Sequence, residues 1–177
     1  MIHQIGSPIL RAIAEPVANI HASEVQQFID LMEQELIDSG GVGIAAPQLG
    51  KSWRMLFIYS RPNRRYPLAP VMSAPLLLIN PQIVAVSGET QTDWEGCLSV
   101  PDRRGLVPRH QRVTVRYYDR QGAEHLAEFT DFVSRIFQHE YDHLEGKLFV
   151  DHVAPADLIS EVAYQAIMEK QCTPSLF

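Results

Sequence analysis

Two histidines four residues apart, His139 and His143, sit in the stretch Gln138-His139-Glu140-Tyr141-Asp142-His143-Leu144-Glu145-Gly146. On a helix they would stand one above the other on one face, close enough to clamp a single ion. Glu140, directly after the first of them, is placed to take a proton from a metal-bound water. This H-E-x-x-H arrangement is a signature of metal-assisted hydrolysis, with two imidazole ligands and a carboxylate base. The competing reading is an ordinary helix whose two histidines are hydrogen-bonded in a core. A third ligand decides between them.

Three candidates for that ligand point to three kinds of enzyme. In metzincin peptidases the helix runs on as H-E-x-x-H-x-x-G-x-x-H. Gly146 keeps that frame, but Phe149 stands where the third histidine belongs, and the class is excluded. Gluzincin peptidases use a glutamate on a later helix, and Glu161 fits that description. The third candidate is Cys97, within Trp94-Glu95-Gly96-Cys97-Leu98-Ser99-Val100-Pro101; its structural alternative is a small buried hydrophobe. The residues alone leave Glu161 and Cys97 both open.

The elements around these groups follow from periodicity and punctuation. The signature helix is predicted to start near Thr130 or Asp131 and to stop at Gly146. Phe132, Ile136, His139 and His143 share one of its faces, while Phe137, Tyr141 and Leu144 cover much of the rest. A helix apolar most of the way round is central to its fold. Its histidines and Glu140 would be costly to bury without partners, and a metal would compensate. An earlier helix is predicted from a capping box at Ser23 and Gln26, with Val25, Phe28, Ile29, Met32, Leu36 and Ile37 as its stripe and Gly40-Gly41 as its stop. A last helix is predicted over 156–170, with Leu158, Ile159, Val162, Ala166 and Ile167 facing inward. Arg54–Tyr59, Leu76–Asn80 and Ile83–Ser87 read as strands, the last two separated by Pro81. Arg112–Tyr118 and Ala123–Phe129 read as a hairpin. Residues 1–22 read as an extended arm with one helical turn, and 60–75, with four prolines, as an irregular surface loop.

Gly41-Val42-Gly43-Ile44-Ala45-Ala46-Pro47-Gln48 contains G-x-G-x-x-A, but a helix precedes it and Pro47 discourages a helix at Ala46, so it is no dinucleotide fingerprint. Gly50-Lys51-Ser52 mimics a phosphate loop whose first glycine would have to be Ala45. What remains is a tight loop of small residues that lets backbone approach a ligand, with Gln48 presented after a proline.

With 177 residues, 46% of them hydrophobic, the chain can bury a real core, and one catalytic domain over residues 1–177 is expected, with 170–177 as a flexible tail. A net charge of −6 argues against binding duplex DNA, the arginine pairs at 64–65 and 103–104 notwithstanding. Two cysteines, Cys97 and Cys172, form no disulfide framework and suit a reducing compartment. No leader pattern or membrane-length apolar run is visible, so no membrane association and a cytoplasmic location are expected.

Three blocks, Gly41–Gln48, Glu95–Ser99 and His139–Leu144, stand in the order and spacing of the peptide deformylases. They resemble that family's G-x-G-[LI]-A-A-P-Q, E-G-C-L-S and H-E-x-D-H motifs, within a likeness over about residues 1–165. The resemblance implies an α+β fold with mixed or antiparallel sheets around a central metal-binding helix, flanked by an N-terminal and a C-terminal helix. It implies Cys97, His139 and His143 as ligands, leaving a fourth position for water, as catalytic sites do. The implied activity is removal of the N-terminal formyl group from formylmethionyl nascent polypeptides by metal-activated water, with Glu140 as general base. Gln48 and the Leu98 backbone N–H would bind the oxyanion. Phe132 and Ile136, with Val42 opposite, would line the methionine pocket, and Gly41, Gly43 and Gly96 would let the substrate backbone pair with main chain. The implied cofactor is one divalent ion per chain, iron(II) in cells, with zinc, nickel or cobalt accepted. Ser134 and Arg135 depart from the small or apolar residues the resemblance implies. The tail Gln171–Phe177 is short and not basic, so any ribosome contact would be transient.

Overall fold

The computed structural model describes residues 1–62 and 68–172. Its elements in chain order are α1 (Ser23–Ser39), β1 (Gly43–Ala45), β2 (Met55–Ile58), β3 (Leu76–Val86), β4 (Thr90–Cys97), β5 (Val100–His110), β6 (Arg112–Tyr118), β7 (Glu124–Thr130), α2 (Asp131–Leu144), β8 (Ile159–Ser160) and α3 (Glu161–Cys172). They form a five-stranded sheet, β1-β2-β3-β6-β7, and a three-stranded sheet, β4-β5-β8, with every strand pairing antiparallel. This is an α+β fold. No helix among the described residues is long and apolar enough to cross a membrane.

The larger sheet is covered on both faces, and the alternation along β2 shows how. Met55 and Phe57 join Ile44, Leu77 and Ile79 against Val25, Phe28, Ile29, Met32 and Leu36 of α1. Leu56 and Ile58 join Val113, Val115 and Phe129 against Ile136, Phe137 and Leu144 of α2. Side chains of successive strand residues point to opposite faces, so a strand buried on both sides loses its polar alternation and reads as a continuous apolar run. Ile37, expected in the α1 stripe, is exposed. The capping box is also absent: Ala22 is the N-cap, and Gln26 donates instead to the carbonyls of Ile20 and Arg120, tying α1 to the β6–β7 turn.

Three other expectations are corrected. Pro81 does not end its strand, because Asn80 takes a left-handed φ of 50°, the register shifts between Ile79 and Gln82, and β3 continues to Val86. The Asn80 amide fixes this kink by accepting from the Val17 N–H and donating to the Val17 carbonyl, 2.8 and 3.0 Å. The β4–β5 hairpin, which carries Cys97, was not foreseen as strand at all. The last helix begins only at Glu161; Val162 and Ala166 face solvent, Ile159 lies in β8, and Tyr164 is the buried side chain. Tyr164 packs on Trp94 and under the Arg104 guanidinium, and Glu161 pairs with Arg104, so α3 is a strap across β4 and β5. It continues through Cys172, past the start of the expected tail; residues 173–177 of that tail lie outside the described residues. So do residues 63–67 of the proline-rich loop, including the Arg64-Arg65 pair, while the ends of that loop are closed by bonds between Ser60 and both Pro70 and Met72.

α2 is held at its C-terminus by Gly146 and by the N-terminal arm. Gly146 adopts φ 67°, and a Cβ there would lie 2.7 Å from the Arg11 carbonyl oxygen. Glycine is required on both counts. The Ala14 N–H caps the Leu144 carbonyl at 2.8 Å.

Candidate active site

Three elements converge on one point. α2 brings His139, Glu140 and His143; the end of β4 brings Cys97; the turn of 3-10 helix after β1 brings Gln48. The register of β4 against β5 slips between Glu95 and Cys97, a bulge at the base of a tight turn. Bulges re-aim side chains beside functional sites, and here Glu95 and Cys97 both reach α2. Cys97 Sγ lies 3.3 Å from His143 Nε2, and Cys97, His139 and His143 each offer a donor atom within 4.8 Å of the others. Among the described residues this is the one such cluster. Glu161 is elsewhere, paired with Arg104 at 2.7 Å, which removes the gluzincin reading.

The donor set fits a divalent ion. A sulfur and an imidazole nitrogen bound tetrahedrally to one ion lie about 3.5 Å apart, from metal bonds of about 2.3 and 2.0–2.1 Å. The observed separation is close to that. Burial opposes ionisation of Cys97, but the imidazoles of His143 and His139 outweigh it and hold the thiol well below its usual range, in the thiolate form a metal needs. Burial likewise opposes a charge on His139, and its hydrogen bonds to Cys97 and Glu95 reverse that, raising it well above the usual histidine range. At this site two buried polar atoms, Glu140 Oε2 and His143 Nδ1, have no hydrogen-bond partner among the described residues. An unpaired buried carboxylate oxygen is costly unless a ligand or water meets it. Burial raises the Glu140 carboxyl to about 7, with the two imidazoles pulling the other way, and a proton acceptor poised there suits general base work near neutrality.

Gln48 is almost fully buried, and its orientation is legible from its bonds. The Ala45 N–H occupies Oε1 at 2.8 Å, so Nε2 must face inward, 3.1 Å from Ser99 Oγ and 3.6 Å from Cys97 Sγ. Gly41, Val42, Gly43, Gly96, Leu98, Phe132 and Ile136 all line the same cleft. Two of the glycines have a further reason to be glycine. A Cβ on Gly43 would collide with the Glu140 carboxylate, and one on Gly96 would lie 2.8 Å from the Arg104 guanidinium. The segment expected to be a tight loop is also partly strand, with Gly43–Ala45 pairing with β2.

The sequence reading missed the group that orients His139. Glu95, 3% exposed, accepts from His139 Nδ1 at 2.9 Å, from Arg109 Nε and Nη2 at 2.9 and 3.0 Å, and from Arg135 Nη1 at 2.8 Å. Burial alone would raise this carboxyl, but His139 and Arg109 hold it well below the usual carboxylate range. With Nδ1–H bound to a carboxylate, the His139 tautomer is fixed and Nε2 is left for an ion. Arg109 also grips Asp142 at 2.6 Å, and Asp142 accepts from His152 Nε2 at 2.8 Å. Two carboxylates and two guanidiniums balance inside the protein. The available signal was Glu95 two residues before Cys97 on a strand, where both side chains share a face.

The polypeptide deformylase profile matches residues 1–158. The chain belongs to the polypeptide deformylase family. Peptide deformylase 2 of Nostoc sp. is 51% identical over 96% of this chain and 94% of its own. A class I type b peptide deformylase of Acinetobacter baumannii, crystallised with Met-Ala-Ser bound, superposes with a TM-score of 0.83 at 42% identity, covering 86% of this chain and 97% of its own. The Thermotoga maritima peptide deformylase gives 0.77 at 34% identity, over 88% and 97%. Deformylases are metal-dependent enzymes that remove N-terminal formyl groups from polypeptides, and this chain is one of them, with a Cys/His/His cluster able to hold the metal.

Proposed function

We propose that this deformylase acts on N-formylmethionyl nascent polypeptides, with Cys97, His139 and His143 holding one divalent ion beside Glu140. The observation that carries this reading is the meeting of one thiolate and two imidazoles next to a buried carboxylate whose Oε2 has no partner. When bound, the ion supplies Lewis acidity toward water and the formyl oxygen. Glu140 accepts the proton of the attacking water and returns it to the leaving amine. Gln48 Nε2, fixed by Ala45 and Ser99, donates to the developing oxyanion together with the Leu98 N–H. Phe132, Ile136 and Val42 take the methionine side chain, and the main chain at Gly41, Gly43 and Gly96 bonds the peptide as an added strand. The Met-Ala-Ser bound to the A. baumannii relative supports a short methionyl peptide as occupant.

The native ion in this reading is iron(II), with zinc, nickel or cobalt as working substitutes, since the ligand types do not select among them. The chain works as a single catalytic domain in the cytoplasm, without DNA or membrane partners, and any ribosome contact is transient. Formate release from formyl-Met-Ala-Ser, measured anaerobically on iron- or nickel-loaded protein, tests the assignment. Release that disappears in Glu140→Ala and in Cys97→Ser supports it; a folded, metal-loaded protein that releases no formate overturns it.

A further inference from the structure

Arg135 lies one helical turn before His139 on α2, where the family resemblance implies a small or apolar residue. Its side chain is buried, and its guanidinium makes three kinds of bond at once. Nη1 donates to Glu95 Oε1 and to the Val107 carbonyl, each at 2.8 Å, and Nη2 donates to the Gln91 carbonyl. Gln91 is on β4 and Val107 on β5, so the head staples both strands of the hairpin to α2. The same residue also lines the cleft, beside Phe132 and Ile136.

The bonds to Glu95 divide its two oxygens between different tasks. Oε1 receives Arg109 Nε and Arg135 Nη1; Oε2 receives Arg109 Nη2 and His139 Nδ1. Arg109 grips both oxygens and is drawn toward Asp142 on its far side. A fork of this kind aligns the carboxylate with the guanidinium, but the pair can still shift as one unit with the Arg109 head. Arg135 removes that freedom, because it holds Oε1 alone and is itself anchored to two backbone carbonyls. Oε2 is then left facing the imidazole.

We propose that Arg135 is a positioning residue for His139. Its head saturates Glu95 Oε1 and so presets the imidazole to present Nε2 to an ion, while its aliphatic stem forms wall of the substrate cleft. This inference rests on the metal site of the proposed function. The two parts of one side chain have separable duties: the stem acts on peptide binding, the head on metal binding. Groups that orient a metal-ligating histidine typically account for 10–100-fold in affinity, of about the same order as the effect expected here.

The experiment compares wild type with Arg135→Met, Arg135→Lys and Arg135→Ala. Zinc affinity is read by chelator competition, KM on formyl-Met-Ala-Ser, and the His139 Nδ1–H proton by NMR of the zinc-loaded protein. Methionine keeps the apolar stem and removes the head. Arg135→Met is therefore expected to weaken zinc binding about 10–100-fold and to expose the Nδ1–H proton to exchange, with KM within about twofold of wild type. Arg135→Lys, which can still reach one acceptor, recovers part of the affinity, and Arg135→Ala loses affinity and raises KM as well. Wild-type zinc affinity and a protected proton in folded Arg135→Met overturn the inference and leave the proposed function standing. Recovery by lysine is the signature that a merely structural role would not give. A wild type that binds no zinc through Cys97, His139 and His143 overturns both readings.

Discussion

The two flanks of α2 are built on opposite principles. Toward the five-stranded sheet the helix presents Ile136, Phe137 and Leu144 to an apolar layer, where the driving force is area removed from water and no bond has a required direction. Toward β4 and β5 it presents Ser134, Arg135, Gln138, His139 and Asp142, and each of these side chains bonds to the hairpin. Gln138 Nε2 and Ser134 Oγ both donate to the His110 carbonyl at 2.8 Å, and Gln138 Oε1 accepts from the His110 N–H. One flank supplies stability that tolerates variation in shape. The other supplies direction, because hydrogen bonds to charged groups fix the orientation of the histidine they surround.

Removing the hub of the polar flank is the most severe way to break this division. Glu95→Ala leaves Arg109 and Arg135 buried without their shared carboxylate, and a loss of about 3–5 kcal/mol of stability is expected. Urea melts check the stability, and elemental analysis of the folded fraction should show loss of metal along with it. On the apolar flank, Leu144→Ala should cost about 2–5 kcal/mol through lost burial and a cavity. The comparison is sharpened if that variant still fills its metal site at saturating zinc; depleted metal would mean that the flanks are coupled.

Acid separates the flanks without a large structural change. The Glu95 carboxyl is depressed in the folded protein, so the unfolded chain binds a proton there more readily. Its contribution is therefore present above the ordinary carboxylate range, near 4.5, and is lost as pH falls through the depressed folded value. Between about pH 5 and pH 3, Glu95→Gln should lose stability less steeply than wild type, as read from denaturation midpoints; parallel slopes would assign the acid sensitivity to other carboxylates. The smallest effect is expected at the exposed pair Arg11–Asp151, which has the same charges as the buried network but stands in water. Asp151→Asn should cost at most about 1 kcal/mol. A larger loss would mean that the Asp151 bond to the Leu148 N–H, and not the ion pair, holds that turn.

How much of this was legible in the sequence follows from the same division. The apolar flank was readable, since Ile136, Phe137 and Leu144 recur at helical spacing and β2 is a run of hydrophobes. The candidate metal cluster was readable because His139 and His143 stand four apart on one helix, and Cys97 came from its motif. The β4–β5 hairpin was not, because Gly96, Pro101, Gly105 and Pro108 interrupt the alternation that marks a strand. Nor was Glu95 as a hub, since its partners Arg109, Arg135 and His139 lie far along the chain and only folding brings them together. Arg135 stood out as a departure, and its reason appears only once Gln91, Val107 and Glu95 surround it.

The strand β1 passes so close over Glu140 that a Cβ at position 43 would collide with its side chain and displace it. Anyone reshaping the peptide channel for new substrates therefore has a sharp boundary to respect. Val42 is partly buried beside the cleft and has room to be exchanged, whereas its neighbour is pressed against the Glu140 carboxylate. Diversity libraries along this edge should leave residue 43 untouched and spend their variation one step upstream.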